Sequence, residues 1–185
     1  MKAMTCDKCR HELTSHRGLY HYTESGLNNL YLDGVEIFAC PNSACDYFNR
    51  ATAAIPKIEK LHIFIAKALI SQSPPLGGQE VRFLRGALAI KAKDLAAYLH
   101  VDPATLSRWE KANEPIGEQS ELLIRFLVLR LIEEAEGQMI TAFNAQQLTL
   151  RRELLPPVMI IKIKPAGFEL IRAQNQELPK ELLTP

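Results

Sequence analysis

Four cysteines, all at or before residue 45, constrain this 185-residue chain more than any other feature. They stand as two short pairs, the C-x2-C of Cys6-Asp7-Lys8-Cys9 and the C-x4-C of Cys40-Pro41-Asn42-Ser43-Ala44-Cys45. Each tight turn presents two sulfurs, and if the intervening chain brings the turns together, four thiolates converge on one tetrahedral ion. The spacing therefore predicts a structural zinc site with Cys6, Cys9, Cys40 and Cys45 as ligands. A domain of about 70 residues gains much from such an ion, because apparent binding free energies on the order of 10–16 kcal/mol become folding energy.

Other readings of the cysteines stand beside this one. They could be unrelated buried thiols, or Cys6 and Cys9 a redox pair, although the buried strand and long helix that flank a thioredoxin-type motif are missing from the pattern. His11, His16 or His21 could replace one sulfur if the wider second loop displaces Cys45. A catalytic zinc needs an open fourth position and a nearby base. Four cysteines favour a closed site, so no enzymatic activity is expected.

The charges balance, with 22 Lys+Arg against 21 Asp+Glu, and 47% of residues are apolar. That composition excludes disorder and fibrous architectures and fits a globular chain of one or two domains. The longest strongly apolar stretch, Leu122 to Ile132, is interrupted by Arg125 and Arg130 and falls well short of the ~20 residues a bilayer span needs. Met1 to Cys9 lacks an apolar signal core, so the expectation is a cytoplasmic protein without membrane contact, in a compartment where thiols stay reduced.

The expected fold class is α+β, with a boundary at SQSPPLGG, residues 71–78, where two prolines and two glycines interrupt helical patterning. Residues 1–70 are expected to form the zinc-binding domain, 71–78 a linker, 79–137 an all-α domain, and 138–185 an extension with a β-hairpin and a flexible tail. In the first domain, NLYLDGVEIF places apolar residues on both sides of Asp33-Gly34 and predicts a hairpin turning there. A helix over 56–70 follows, with Ile58, Leu61, Ile65 and Leu69 at helical spacing. Val158–Lys164 and Phe168–Arg172 read as strands around Pro165-Ala166-Gly167.

Four helices are expected beyond the linker: 79–89, 93–99, 103–112 and 117–137. Asp102 suits an N-cap and Pro103 the first helical position. Leu95, Ala96, Leu99, Val101, Leu106 and Trp109 have the spacing of two short helices crossing over a shared core, as in a helix-turn-helix. The outward side of the second helix then shows Ala104, Thr105, Ser107, Arg108 and Lys111, with Lys93 on the helix before it, and such a face fits the major groove of DNA. The 79–111 segment is mildly basic, and the acidic residues concentrate after it. The last helix is apolar nearly all round, which requires burial in a core or against another subunit. The bland alternative is a helical hairpin that binds nothing.

Leu95-Ala96 and Ser107-Arg108-Trp109-Glu110 resemble the Xre/Cro-type helix-turn-helix. Joined to the two cysteine pairs, to SGLNNLYLDGVEIFAC before the second pair and to AIPKIEKLH after it, residues 1–137 resemble the MqsA/YgiT-type antitoxins. The resemblance implies a zinc-bound N-terminal domain that engages a toxin protein, and a dimeric C-terminal domain that binds a palindromic double-stranded DNA operator and represses its own operon. The chain departs from that pattern with C-x4-C in place of C-x2-C, with Ala92 where a Gln is common, and with Ala104 where a polar base reader often sits. A stand-alone zinc-containing helix-turn-helix regulator without a toxin is the alternative.

Overall fold

The computed structural model describes residues 4–72, 75–137 and 158–173. The chain is α+β and divides into two compact units, one made of Met1–Tyr22, Leu30–Ile58 and Val158–Pro185, the other of Thr23–Asn29 and Glu59–Pro157.

The first unit is a sheet built around one long strand. Strand β1 (Thr14–His21) pairs antiparallel with β2 (Leu30–Ala39). On its other edge β2 takes two partners end to end: β3 (Thr52–Ala54) runs antiparallel opposite Glu36–Phe38, and β4 (Val158–Lys164) runs parallel opposite Leu30–Asp33. Strand β5 (Gly167–Ala173) closes the sheet by pairing antiparallel with β4. The two C-terminal strands fall where the sequence places them.

Asp33-Gly34 does not turn the chain. Strand β2 runs straight through it, and the register against β1 slips there: Gly18 faces Val35 while Leu19 faces Asp33, which leaves Gly34 unopposed. Gly34 has φ +80°, the conformation a β-bulge asks of its extra residue. Because a bulge inserts one residue, Leu30 and Leu32 before it and Val35 and Ile37 after it all reach the same buried side, with exposures of 0–4%. A phase slip of the apolar pattern around Asp-Gly is common to hairpins and bulges, so the pattern alone could not separate them.

The second unit is helical: α1 (Ile58–Ile70, its first residue in the other unit), α2 (Gly78–Ala87), α3 (Ala92–Tyr98), α4 (Pro103–Glu110) and α5 (Glu118–Glu136). Helix α4 starts as read from the sequence, with the Asp102 carboxylate accepting from the Ala104 N–H at 2.7 Å and Pro103 following. Helices α2, α3 and α4 end alike. Ala89, His100 and Ala112 have φ +53°, +52° and +57°, and the next residue's N–H returns to a carbonyl five residues back, as Ile90 does to Arg85, Val101 to Ala96 and Asn113 to Arg108. These are Schellman endings without the usual glycine.

The division differs from the one expected at 71–78. The hydrogen bonds of β4 to β2 bring the C-terminal hairpin into the first unit. The described part of SQSPPLGG is bound to α5 rather than free: Gln72 and Leu76 are buried, the Leu76 N–H donates to Glu121 Oε1 at 3.1 Å, and Arg125 donates to the Gln72 carbonyl at 2.9 Å. Helix α1 therefore belongs with the helices. Within the chain α5 is not buried all round. Glu121, Ile124, Arg125, Val128, Leu129 and Ile132 form the buried stripe, while Leu122, Leu123 and Phe126 are 40–44% exposed. The expected flexible tail and the remainder of the 138–185 extension outside the two strands lie outside the described residues.

Candidate metal centre and helical face

The two cysteine turns sit at one end of the first unit's sheet. Cys6–Arg10 is a tight turn in which Arg10 N–H bonds the Cys6 carbonyl at 2.9 Å and Arg10 has φ +62°. The second turn leaves the end of β2. Asn42 organises it, its carbonyl accepting from Cys45 N–H and its side-chain oxygen from Ala44 N–H at 3.1 Å. These two bonds absorb the extra residues of the C-x4-C loop, so the wider spacing does not displace Cys45.

All four Sγ atoms lie within 4.8 Å of one another. Cys6 and Cys45 are 3.9 Å apart, Cys9 and Cys40 3.5 Å. Tetrahedral coordination at a metal–sulfur distance of about 2.3 Å sets the sulfurs about 3.8 Å apart. The cluster therefore has the dimensions to hold a metal ion, and none of the four is in a disulfide. Cys6 and Cys40 are buried and Cys9 and Cys45 partly so.

The thiols are not equivalent. The backbone N–H of His11 lowers the Cys9 pKa to about 6 against the opposing effect of desolvation. Desolvation, aided by the neighbouring sulfurs, pushes Cys40 up to about 12. For Cys45 the Tyr47 N–H, which donates to its Sγ at 3.4 Å, favours the thiolate, but desolvation and the sulfurs of Cys9 and Cys6 outweigh it and the pKa is raised. Four anions cannot share this space alone. A cation that removes all the protons converts mutual repulsion into coordination.

The histidines take other places. His11 Nδ1 lies 3.2 Å from the Cys9 carbonyl oxygen and 3.4 Å from Asn42 Nδ2, beside the cluster rather than in it. His21 stacks on Tyr31 with ring centroids 4.5 Å apart, and His16 is on β1. Sequence reasoning did not single out Tyr47, whose ring lies 5.0 Å from the Arg50 guanidinium and 5.6 Å from the Lys8 ammonium.

In the helical unit Leu95, Ala96, Leu99, Leu106 and Trp109 are all buried, at 0–6% exposure, and α3 and α4 pack on one another. Ala104, Arg108, Lys111 and Lys93 are exposed, and Thr105 and Ser107 are partly so. Arg108 is engaged: Nη2 donates to Thr105 Oγ1 at 2.9 Å and Nε to Glu114 at 2.7 Å. Glu110 points the other way and receives a two-pronged bond from Arg85, at 2.6 and 3.1 Å, that ties α2 to α4. The Glu110 bonds raise the Arg85 pKa. Neither Glu114 nor the Arg85 fork was legible as a pairing, because the partners are brought together by turns and packing rather than by helical spacing.

No family model, curated protein or solved structure matches this chain. None of the described helices is long and apolar enough to cross a membrane.

Proposed function

We propose that the chain is a zinc-stabilised repressor of the antitoxin class that binds operator DNA as a dimer. The observation that carries the reading is the α3–α4 pair: two short helices over a shared apolar core, joined by a tight turn, with Ala104, Thr105, Arg108 and Lys111 on the open side of α4. A helix so mounted fits the major groove, where Arg108 can reach guanine edges or a phosphate, Thr105 a base or a phosphate, and Ser107, Lys93 and Lys111 the backbone.

Four sulfur donors at tetrahedral spacing favour Zn2+, and a closed set of four leaves no open position for catalysis, which supports a structural rather than an enzymatic role. The exposed Leu122, Leu123 and Phe126 of α5 suit pairing of two copies about a twofold axis, which would place two α4 helices about one DNA turn apart on a palindrome. A toxin partner engaged by the zinc-bound unit rests on the resemblance of residues 1–137, and a reducing cytoplasm would keep the thiols free for metal.

One observation favours the alternative of a regulator with no toxin. Strand β4, outside the span of the resemblance, occupies half of one edge of β2, so the chain itself completes the sheet of the unit that would meet a toxin. Retention of the chain on duplex DNA from its own promoter tests the DNA-binding reading: Arg108→Ala should abolish retention with folded content unchanged, and undiminished affinity would remove α4 as the reading helix. Co-purification of a second protein from the native host then separates antitoxin from stand-alone regulator.

A further inference from the structure

The helical unit contains a cleft of about 770 Å3, within the range of roughly 300–1,000 Å3 occupied by small-molecule sites. One wall is a stripe of α2 in which Gln79, Arg82 and Gly86 recur at helical spacing. The C-terminal end of α4, with Glu110 and Lys111, and the Thr23–Gly26 segment form the others. At Gly86 an added Cβ would meet nothing within 4 Å, so this part of α2 faces open space.

The charges lining the cleft do not cancel. Arg85 and Glu110 neutralise each other, and Arg85 uses three of its five donors on Glu110 and the Ile90 carbonyl, leaving two N–H groups to offer. Arg82 and Lys111 are exposed and have no ion pair among the described residues. Glu24 is the one other carboxylate in the lining, and it already has a partner. His62, edge-on to Phe83 at 5.5 Å, has its pKa lowered by burial and adds no charge at neutral pH. A positive excess remains, carried by one side chain of α2 and one at the end of α4, in a lining that also includes Gly86 and Ala87.

We propose that this cleft binds a small organic anion, its phosphate or carboxylate held between Arg82 and Lys111 and its carbon body lying along α2 at Gly86. Arg85 supplies further donors from the side of the cleft that Glu110 fixes. The proposal does not rest on the DNA-binding reading, since it needs only the cleft and its charges.

The full chain, isotopically labelled, is titrated with phenyl phosphate, with inorganic phosphate and with benzyl alcohol at millimolar concentrations while backbone amide shifts are followed. The expected result is saturable shifts confined to 79–87 and 110–112 with phenyl phosphate, binding about tenfold weaker for inorganic phosphate, and none for benzyl alcohol. The surface double variant Arg82→Gln/Lys111→Gln and the cleft-filling Gly86→Phe should each lose the shifts. Absence of saturable shifts with phenyl phosphate, equal binding of inorganic phosphate, or shifts that survive both variants would overturn the proposal.

Discussion

Arg125 and Glu121, one turn apart on α5, form an ion pair almost without solvent contact: Arg125 Nε and Nη2 donate to Glu121 Oε1 at 3.0 and 2.7 Å, and both side chains are at most 4% exposed. The same guanidinium reaches across to α1, where Nη1 donates to the carbonyls of Leu69, Ile70 and Gln72 at 3.2, 2.8 and 2.9 Å. A cation thus serves the orphan carbonyls at the C-terminus of α1, where the helix dipole favours positive charge, and Glu121 fixes the Leu76 N–H. The pair fastens three pieces of chain that would otherwise bury unpaired polar groups.

Removing one partner should therefore cost more than a typical substitution. Arg125→Ala is expected to destabilise the helical unit by about 3–5 kcal/mol, because it leaves the buried Glu121 carboxylate without its counter-charge and removes the guanidinium from the Ile70 and Gln72 carbonyls. Replacing both residues by apolar ones of similar volume should cost less than the single change. Urea denaturation of the three proteins checks the order, and an Arg125→Ala loss below that of the double variant would show that Glu121 left alone is not an uncompensated buried charge.

Gly78 and Gly86 make a controlled comparison on one helix. A Cβ on Gly78 would collide with the Trp109 carbonyl at the end of α4, whereas one on Gly86 finds open space. Gly78→Ala should lose about 1–3 kcal/mol through overpacking. Gly86→Ala should gain about 0.5–1 kcal/mol from restricted unfolded-chain entropy. Thermal melts with the opposite signs would mean that α2 and α4 are not in close approach.

Ala89 and Ala112 hold left-handed conformations that cost a residue with a Cβ about 1 kcal/mol. Ala112→Gly is expected to stabilise the unit by about 0.5–1 kcal/mol, read as a rise in Tm. No rise would imply that the α4 ending is not a left-handed cap.

Much of this fold was legible in the sequence, and the failures have physical causes. Periodicity located the five helices of the described residues and both C-terminal strands, and Asp102-Pro103 marked the start of α4, because those signals are local. The four cysteines were legible as a cluster since paired turns are a local geometry too. Asp33-Gly34 misled because Gly with positive φ suits a bulge as well as a turn. The parallel pairing of β4 with β2 joins segments more than 120 residues apart, and no local pattern encodes it. SQSPPLGG looked like a free joint because its own residues carry no anchoring signal; the anchor is Glu121–Arg125, and its only trace was two charges at helical spacing inside an apolar helix.

Glu114 bears on the proposed DNA contact. It holds the Arg108 guanidinium in an exposed pair, and a phosphate or guanine must replace that carboxylate. Glu114→Gln should tighten binding of the chain to its promoter duplex several-fold at low salt, corresponding to about 1 kcal/mol or less for an exposed pair. The gain should vanish in an Arg108→Ala background. An equal effect in both backgrounds would place Glu114 in general repulsion from DNA rather than in competition for Arg108.

Metal content bears most directly on the central claim, that four thiolates from two distant turns close on a single ion and hold the first unit together. Elemental analysis of freshly purified, untagged protein should find one zinc per chain, with Cys40→Ser reducing it to a trace and unfolding the β1–β2 sheet. A preparation without bound metal whose β1–β2 sheet is fully folded, or a Cys40→Ser variant as folded as the unsubstituted protein, would contradict it.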